Sequence, residues 1–344
     1  MKTLAAFLVE LNKDLEIDEI EIPKLKHGQA LVKINYSGIC GTQIAEIFGH
    51  KGEDKWLPHC LGHEATGIII ECGDGVTKVK PGDNVVLSWI KGEGIDAGGC
   101  KYKLGNIEIN AGPVTTLQEY AVVSENRLYH QPSNLDDATS IILGCAAPTG
   151  MGSVFNVLRA ESPSKVAIIG TGGIGLCSCL ACIEKNITDI NVIEPNVNRQ
   201  KLALKFGASK IIKKIDLNSQ DKFLSEHSNM YDHIIESSGK IASIKLAINL
   251  MKNQGGKTVV IGNSPLGSDV SFPAEIFNQG KSLLGTWGGD CDMDKDIEKF
   301  SKIIFNNLDK IKSLFSEPYS INNINKAVND FKNGNIGRPL IKLN

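Results

Sequence analysis

The 344-residue sequence predicts an α/β protein of two domains, one β-rich and one built on a doubly wound parallel sheet. Three observations lead there. The chain exceeds the length of one ordinary core. Residues 1 to about 150 carry short strand-like runs separated by turns. Beyond them, apolar runs alternate with helical stretches, the pattern of parallel strands joined by crossover helices.

In the first part the strand-like runs are Ala30 to Tyr36, Thr66 to Glu71 and Asn84 to Leu87. Pro148-Thr149-Gly150-Met151-Gly152 marks the crossing into the second part, with Thr149 placed to cap a helix. There Val166-Ala167-Ile168-Ile169 reads as a buried strand running into Gly170-Thr171-Gly172-Gly173-Ile174-Gly175, after which a helix begins. A second strand, Ile190 to Ile193, ends in Glu194, nineteen residues past Gly175. Further strands are expected at Ile211-Ile212, His233 to Ile235 and Lys257 to Val260, and a helix at Ile241 to Leu250.

The Gly-rich turn has a stated mechanism. Gly170 permits the tight bend, Gly172 lets a pyrophosphate approach the main chain, and Gly175 lets the helix pack close to the strand. Gly173 and Ile174 open the helix whose free amides and positive dipole end meet the phosphates. Glu194 stands where an acid binds the adenosine ribose hydroxyls; it repels a 2′-phosphate, so NAD is expected over NADP. Arg199 is close enough to join the cofactor residues, although a surface arginine on the next helix is the plainer reading.

Catalytic zinc takes three Cys, His or carboxylate ligands and keeps a fourth position open. Cys40 in Ser37-Gly38-Ile39-Cys40-Gly41-Thr42, His63 in Gly62-His63-Glu64, and Cys145 in Leu143-Gly144-Cys145-Ala146 supply such a set. Spacing alone leaves these cysteines as readily buried core thiols. Their company changes that reading. Leu61-Gly62-His63-Glu64-Ala65-Thr66-Gly67, Val79-Lys80-Pro81-Gly82-Asp83-Asn84-Val85, Tyr231 to Glu236 and Gly255 to Val260 occur with them in a specific order. In these segments the chain resembles a medium-chain zinc-dependent alcohol/polyol dehydrogenase, nearly end to end.

The resemblance implies a GroES-like catalytic domain over 1–150, a Rossmann cofactor domain over 151–288, and a return to the catalytic domain over 289–344, near Trp287-Gly288-Gly289. It places the active site in the cleft between domains. Cys40, His63 and Cys145 would hold zinc, with Glu64 beside it as an outer group or transient ligand. Thr42 would hydrogen-bond the substrate oxygen, Arg338 would contact the cofactor pyrophosphate, and the assembly would be a homodimer or homotetramer. The implied activity is hydride transfer between NAD and an alcohol or carbonyl, aided by the Lewis acidity of zinc. Two other functions remain open: a lyase or epimerase using NAD transiently, and a nucleotide-binding homologue without chemistry.

Three departures from the family pattern matter. Gln43 and Ala45 stand where relatives often carry an aspartate bonded to the zinc histidine and a relay histidine, so His63 should be less basic and Ala45 moves no proton. His50 and Glu46 are nearby in sequence as alternative ends of the relay. Between Trp89 and Asn110, where relatives often place four cysteines, only Cys100 occurs, so one zinc per chain and no structural zinc is expected. That stretch, with Lys91, Lys101, Tyr102 and Lys103, reads as a long loop, either functional or a solvated excursion. Its lysines and Asn110 suggest a sugar, polyol, cyclitol or sugar-phosphate substrate.

A net charge of −2 offers no general attraction for nucleic acid. Nine cysteines suit a reducing compartment, and Cys60, Cys72, Cys177, Cys179, Cys182 and Cys291 read as plain thiols. With no signal peptide and no membrane-length apolar run, a cytoplasmic location is expected.

Overall fold

The computed structural model describes residues 1–213 and 220–343, so Asn344, the end of the expected return segment, lies outside it. The chain divides into two compact units, Met1–Cys145 with Asp292–Asn344, and Ala146–Cys291. The first is β-rich. One sheet closes into a barrel in the order Lys2–Leu8, Glu16–Glu21, Cys100–Leu104, Ile107–Ala111 and His59–Cys60. A second sheet centres on Gln29–Gly38, which pairs along one edge with Glu64–Cys72. Tyr120–Ser124 and Leu340–Lys342 follow one another along its other edge, the latter opposite Tyr36 to Gly38. That long central strand is buried or half-buried throughout, because both sheets pack upon it.

The second unit holds six parallel strands. Numbered as met along the chain (Lys165–Ile169, Asp189–Ile193, Lys210–Ile212, His233–Glu236, Lys257–Val260 and Ser282–Leu284) they lie in the order 3-2-1-4-5-6. The strand order reverses between the first and the fourth, and ligands of open α/β sheets bind at such a switch point. The turn Gly170 to Gly172 leaves the first strand there and enters the helix Gly173–Glu184. The expected helix Ile241–Leu250 is present and buries Ile244, Ala247, Ile248 and Leu250 against the sheet. Among the described residues no single helix is long and apolar enough to cross a membrane.

Two local expectations are corrected. Thr149 caps nothing: the helix begins at Ala146, and the Thr149 hydroxyl is buried without a partner among the described residues. Pro148 was misleading as a boundary marker, since proline fits the first helical turn, where its missing N–H has no intrahelical acceptor. The expected loop after Trp89 also contains a hairpin, Cys100–Leu104 with Ile107–Ala111. Cys100 and Tyr102 point into the barrel core while Lys101 faces solvent, a period-2 alternation hidden by the polar residue names. The Tyr102 hydroxyl accepts from Gln118 Nε2 at 2.7 Å and Val122 N at 2.8 Å.

Three polar groups of that stretch are paired. Lys101 pairs with Glu108 and Lys91 with Asp96, each at 2.6 Å, and Asn110 Nδ2 donates to the Trp56 carbonyl at 2.8 Å. These contacts serve the hairpin and its neighbours.

Candidate active site

Strand register brings together ligands that are distant in sequence. Cys40 follows the central strand and caps the helix Gly41–Ile47, while His63 immediately precedes the strand Glu64–Cys72. Ser37 lies opposite Ala65 across the pair, so the exit of one strand meets the entrance of the other. Cys40 Sγ is 3.3 Å from His63 Nε2. Cys145 comes from the short helical turn Ile141–Gly144, which Ser88 Oγ pins by donating to the Gly144 carbonyl at 2.7 Å. The ligand atoms of Cys40, His63 and Cys145 all lie within 4.8 Å of one another. Two thiols and an imidazole are soft donors, and the set matches the Cys, Cys, His chemistry of catalytic zinc.

The charges of the cluster are coupled. The hydrogen bond from Cys145 holds the Cys40 thiol well below its ordinary range, against burial and with help from His63. Cys145, as the donor and itself buried, is pushed well above that range. Burial pulls His63 down, but the neighbouring Cys40 thiolate outweighs it and raises the imidazole. One cysteine is thus prepared as the thiolate that metal ligation requires.

Glu64 and Arg338 form a buried ion pair next to the ligands. The Arg338 guanidinium donates to both carboxylate oxygens of Glu64 through Nη2, and its Nε has no partner among the described residues. Burial pushes the Glu64 carboxyl up, and the Arg338 charge opposes it. Gly38 is required here, because a Cβ at that position would come within 2.5 Å of Glu64 Oε1. Thr42 sits in the first turn of the helix capped by Cys40, its backbone N–H 3.3 Å from Cys40 Sγ. Gln43 is buried, with Oε1 3.1 Å from Cys40 N and Nε2 2.6 Å from His63 Nδ1. Its amide oxygen serves the Cys40 N–H, and its NH2 faces the imidazole. Of the alternative relay ends, Glu46 is paired with Lys51 at 2.8 Å and His50 is exposed.

In the parallel-sheet unit Gly170 adopts φ +89°, and a Cβ on Gly175 would collide with the Gly170 carbonyl. At Gly172 a Cβ would meet nothing within 4 Å among the described residues beyond its own chain neighbours, so packing does not demand that glycine, whereas close approach of a phosphate would. Gly172 is also the N-cap of the helix Gly173–Glu184. Glu194 is buried: Oε2 accepts from Thr171 N at 3.0 Å and Thr171 Oγ1 at 2.8 Å, and Oε1 from Asn196 N at 2.9 Å. Its carboxylate ties the Gly-rich turn to the second strand, with one of about four acceptor sites left over. Arg199 is half-buried in the helix Val197–Lys205, its backbone N–H donating to the Asn196 cap at 3.1 Å.

Residues 26–133 match the alcohol dehydrogenase GroES-like domain, and residues 173–306 match the zinc-binding dehydrogenase domain. The chain belongs to the zinc-dependent medium-chain alcohol dehydrogenase family. It is an oxidoreductase by family, with a GroES-like and a Rossmann-like domain. Among its relatives, an S-(hydroxymethyl)glutathione dehydrogenase of Escherichia coli is 28% identical over 302 residues, 79% of this chain and 80% of the relative. Among solved structures, a zinc-binding alcohol dehydrogenase domain protein from Burkholderia ambifaria superposes with a TM-score of 0.89 at 22% identity, over 100% of this chain and 99% of its own. Benzyl alcohol dehydrogenase from Acinetobacter calcoaceticus gives 0.85 at 24%, over 99% of each chain. At such identities the two structures speak for the fold.

Two residues beside the expected site groups escaped the sequence reading. The Trp89 and His63 rings meet in a T, centroids 6.5 Å apart and planes at 70°, and the Trp89 carbonyl accepts from Arg127 Nη1. Thr171, the variable residue inside the Gly-rich motif, is the partner of Glu194. A tryptophan following the apolar run Val85 to Leu87 was visible, but only the strand pairing puts it beside a histidine twenty-six residues earlier.

Proposed function

We propose that this chain is an NAD-dependent alcohol dehydrogenase with one catalytic zinc and no structural zinc, oxidising a primary or secondary alcohol or reducing the matching carbonyl. The observation that carries the proposal is the convergence of Cys40, His63 and Cys145, with Thr42 on the helix that Cys40 caps. Zinc bound there would supply Lewis acidity toward a substrate oxygen. Cys40, His63 and Cys145 would hold it, and Glu64 stays outside the set because Arg338 occupies both of its oxygens.

Thr42 would take the substrate hydroxyl proton at Oγ1 and release its own hydroxyl proton in the same step. Ala45, one helical turn on, passes none further, so that proton leaves to water. The Gly170 to Gly175 turn seats the pyrophosphate on free amides at the N-terminus of the helix Gly173–Glu184. Glu194 uses its remaining acceptor site for the ribose and disfavours a 2′-phosphate. The Arg338 Nε is buried without a partner among the described residues, a donor of the kind the family's pyrophosphate contact uses. A cytoplasmic, reducing location suits nine cysteines that all carry free thiols.

For the substrate, the half-buried Trp89 ring beside His63 favours an alcohol bearing an apolar group next to the carbinol carbon over a polyol or sugar phosphate. The test is elemental analysis of protein purified without chelator, together with nicotinamide absorbance during a screen of aryl, aliphatic and polyol substrates with NAD and NADP. Close to one zinc per chain and net NAD reduction are expected. Cys145→Ala should lose both zinc and turnover while the parallel-sheet unit stays folded. Two zincs per chain would sink the single-site reading, and turnover without net NAD reduction would return the lyase or epimerase.

A further inference from the structure

We propose that Gln43 makes metal loading cost a buried hydrogen bond, and so sets how tightly this chain retains zinc. The inference rests on the reading of Cys40, His63 and Cys145 as the zinc ligands. The Gln43 amide reaches two groups at once, Cys40 N through Oε1 at 3.1 Å and His63 Nδ1 through Nε2 at 2.6 Å. A backbone N–H can only donate, so the oxygen must face Cys40 and the NH2 must face the imidazole. Nδ1 therefore accepts, and the ring proton sits on Nε2, the nitrogen 3.3 Å from Cys40 Sγ.

Ligation through Nε2 moves that proton to Nδ1. The loaded site then presents two donors to Gln43, the Cys40 N–H and the His63 Nδ1–H, while the amide has a single acceptor atom. Rotating the amide end over end satisfies the histidine and sets the NH2 against the Cys40 N–H; keeping it in place sets donor against donor at the imidazole. One bond is lost either way, and Gln43 is 1% exposed, so water cannot readily replace it. A carboxylate at this position has two acceptor oxygens and would satisfy both donors in the loaded state. Gln43 is thus a positioning residue that acts on the metal through His63. Because Cys40 is the N-cap of the helix Gly41–Ile47, the same exchange couples zinc occupancy to the helix that carries Thr42.

Two readouts test this, neither of them turnover. In wild type, hydrogen exchange at the Cys40 amide, followed by NMR, should be at least about tenfold faster in the zinc-loaded protein than in the stripped one. Gln43→Glu should release zinc to a chromogenic chelator at least about tenfold more slowly than wild type, within the range that outer partners of ligating histidines command. Release at the wild-type rate or faster, or equal protection of the Cys40 amide with and without zinc, overturns the proposal. The wild-type comparison stands even if the variant folds poorly. Failure of wild type to bind zinc would remove the metal site itself, and the role of Gln43 with it; zinc bound normally with either readout unmoved would remove only the role of Gln43.

Discussion

Replacing Arg338 with Met should be among the most damaging single changes available in the β-rich unit. Glu64 is 0% exposed and Arg338 3%, and the guanidinium meets both carboxylate oxygens. On one side Gly38 packs against Oε1 so closely that a Cβ would not fit. Arg338→Met leaves a buried, unpaired carboxylate, a defect that costs about 3–5 kcal/mol. With a urea dependence of about 3 kcal/mol per molar, the unfolding midpoint should fall by about 1 to 1.7 M. Zinc-stripped protein is the material to use, so that metal binding does not add to the difference, and the fluorescence of Trp89, beside His63, reports on this unit. Adding Glu64→Gln to Arg338→Met should restore at least about 1 kcal/mol, because no buried ion then remains. A midpoint shift below about 0.3 M, or a double variant as unstable as the sum of the singles, would refute the reasoning that an unpaired charge is the defect.

Other outcomes follow from the same geometry. Glu125 is buried and accepts from Thr77 N at 2.6 Å, Lys78 N at 2.7 Å and Ile95 N at 2.7 Å; burial pushes its carboxyl up, but these donors hold it below the ordinary range. Its stabilisation is full above the unfolded value of about 4.3 and is lost as pH falls through the depressed folded value. Glu125→Gln should therefore cost about 2 kcal/mol at pH 7, and the gap in urea midpoint should narrow as the pH drops below about 4.3; a constant gap would show that charge is irrelevant there. Glu194→Ser should lower kcat/KM with NAD and narrow the preference over NADP, while freeing the Thr171 amide and hydroxyl; equal use of both cofactors by wild type would remove the assignment. Thr42→Val should lower kcat about 100-fold or more with zinc retained. Near-normal turnover at saturating substrate would mean that the proton leaves by another route.

Much of the parallel-sheet unit was legible because its code is local. Each expected strand there coincides with an observed strand to within a residue or so at its ends, and the helix Ile241–Leu250 does so at both ends, since a buried parallel strand is a short apolar run and needs no partner to be recognised. The barrel was less legible. Its hairpin Cys100–Leu104 and Ile107–Ala111 carries two lysines between Gly98-Gly99 and Gly112, and the two residues that fill the core, Cys100 and Tyr102, look polar or reactive by name. Gln43 shows the same limit at the site: the sequence showed an amide in place of a carboxylate, but not that its oxygen would be taken by the Cys40 N–H.

By itself the sequence determined the two-part α/β organisation, the glycines that bend and open the turn after Ile169, and the residue types able to hold a soft metal. These are properties of single residues and short periods, which the backbone expresses wherever the segment folds. Tertiary structure alone decided the partners. The pairing of Ser37 with Ala65 puts Cys40 beside His63, the turn pinned by Ser88 delivers Cys145, and Leu340–Lys342, pairing with Tyr36 to Gly38, begins two residues after Arg338, which it carries to Glu64 from the far end of the chain. Strand register is set by the burial of whole faces, a sum over many residues, so contacts between single side chains at the strand ends cannot be read from those side chains alone.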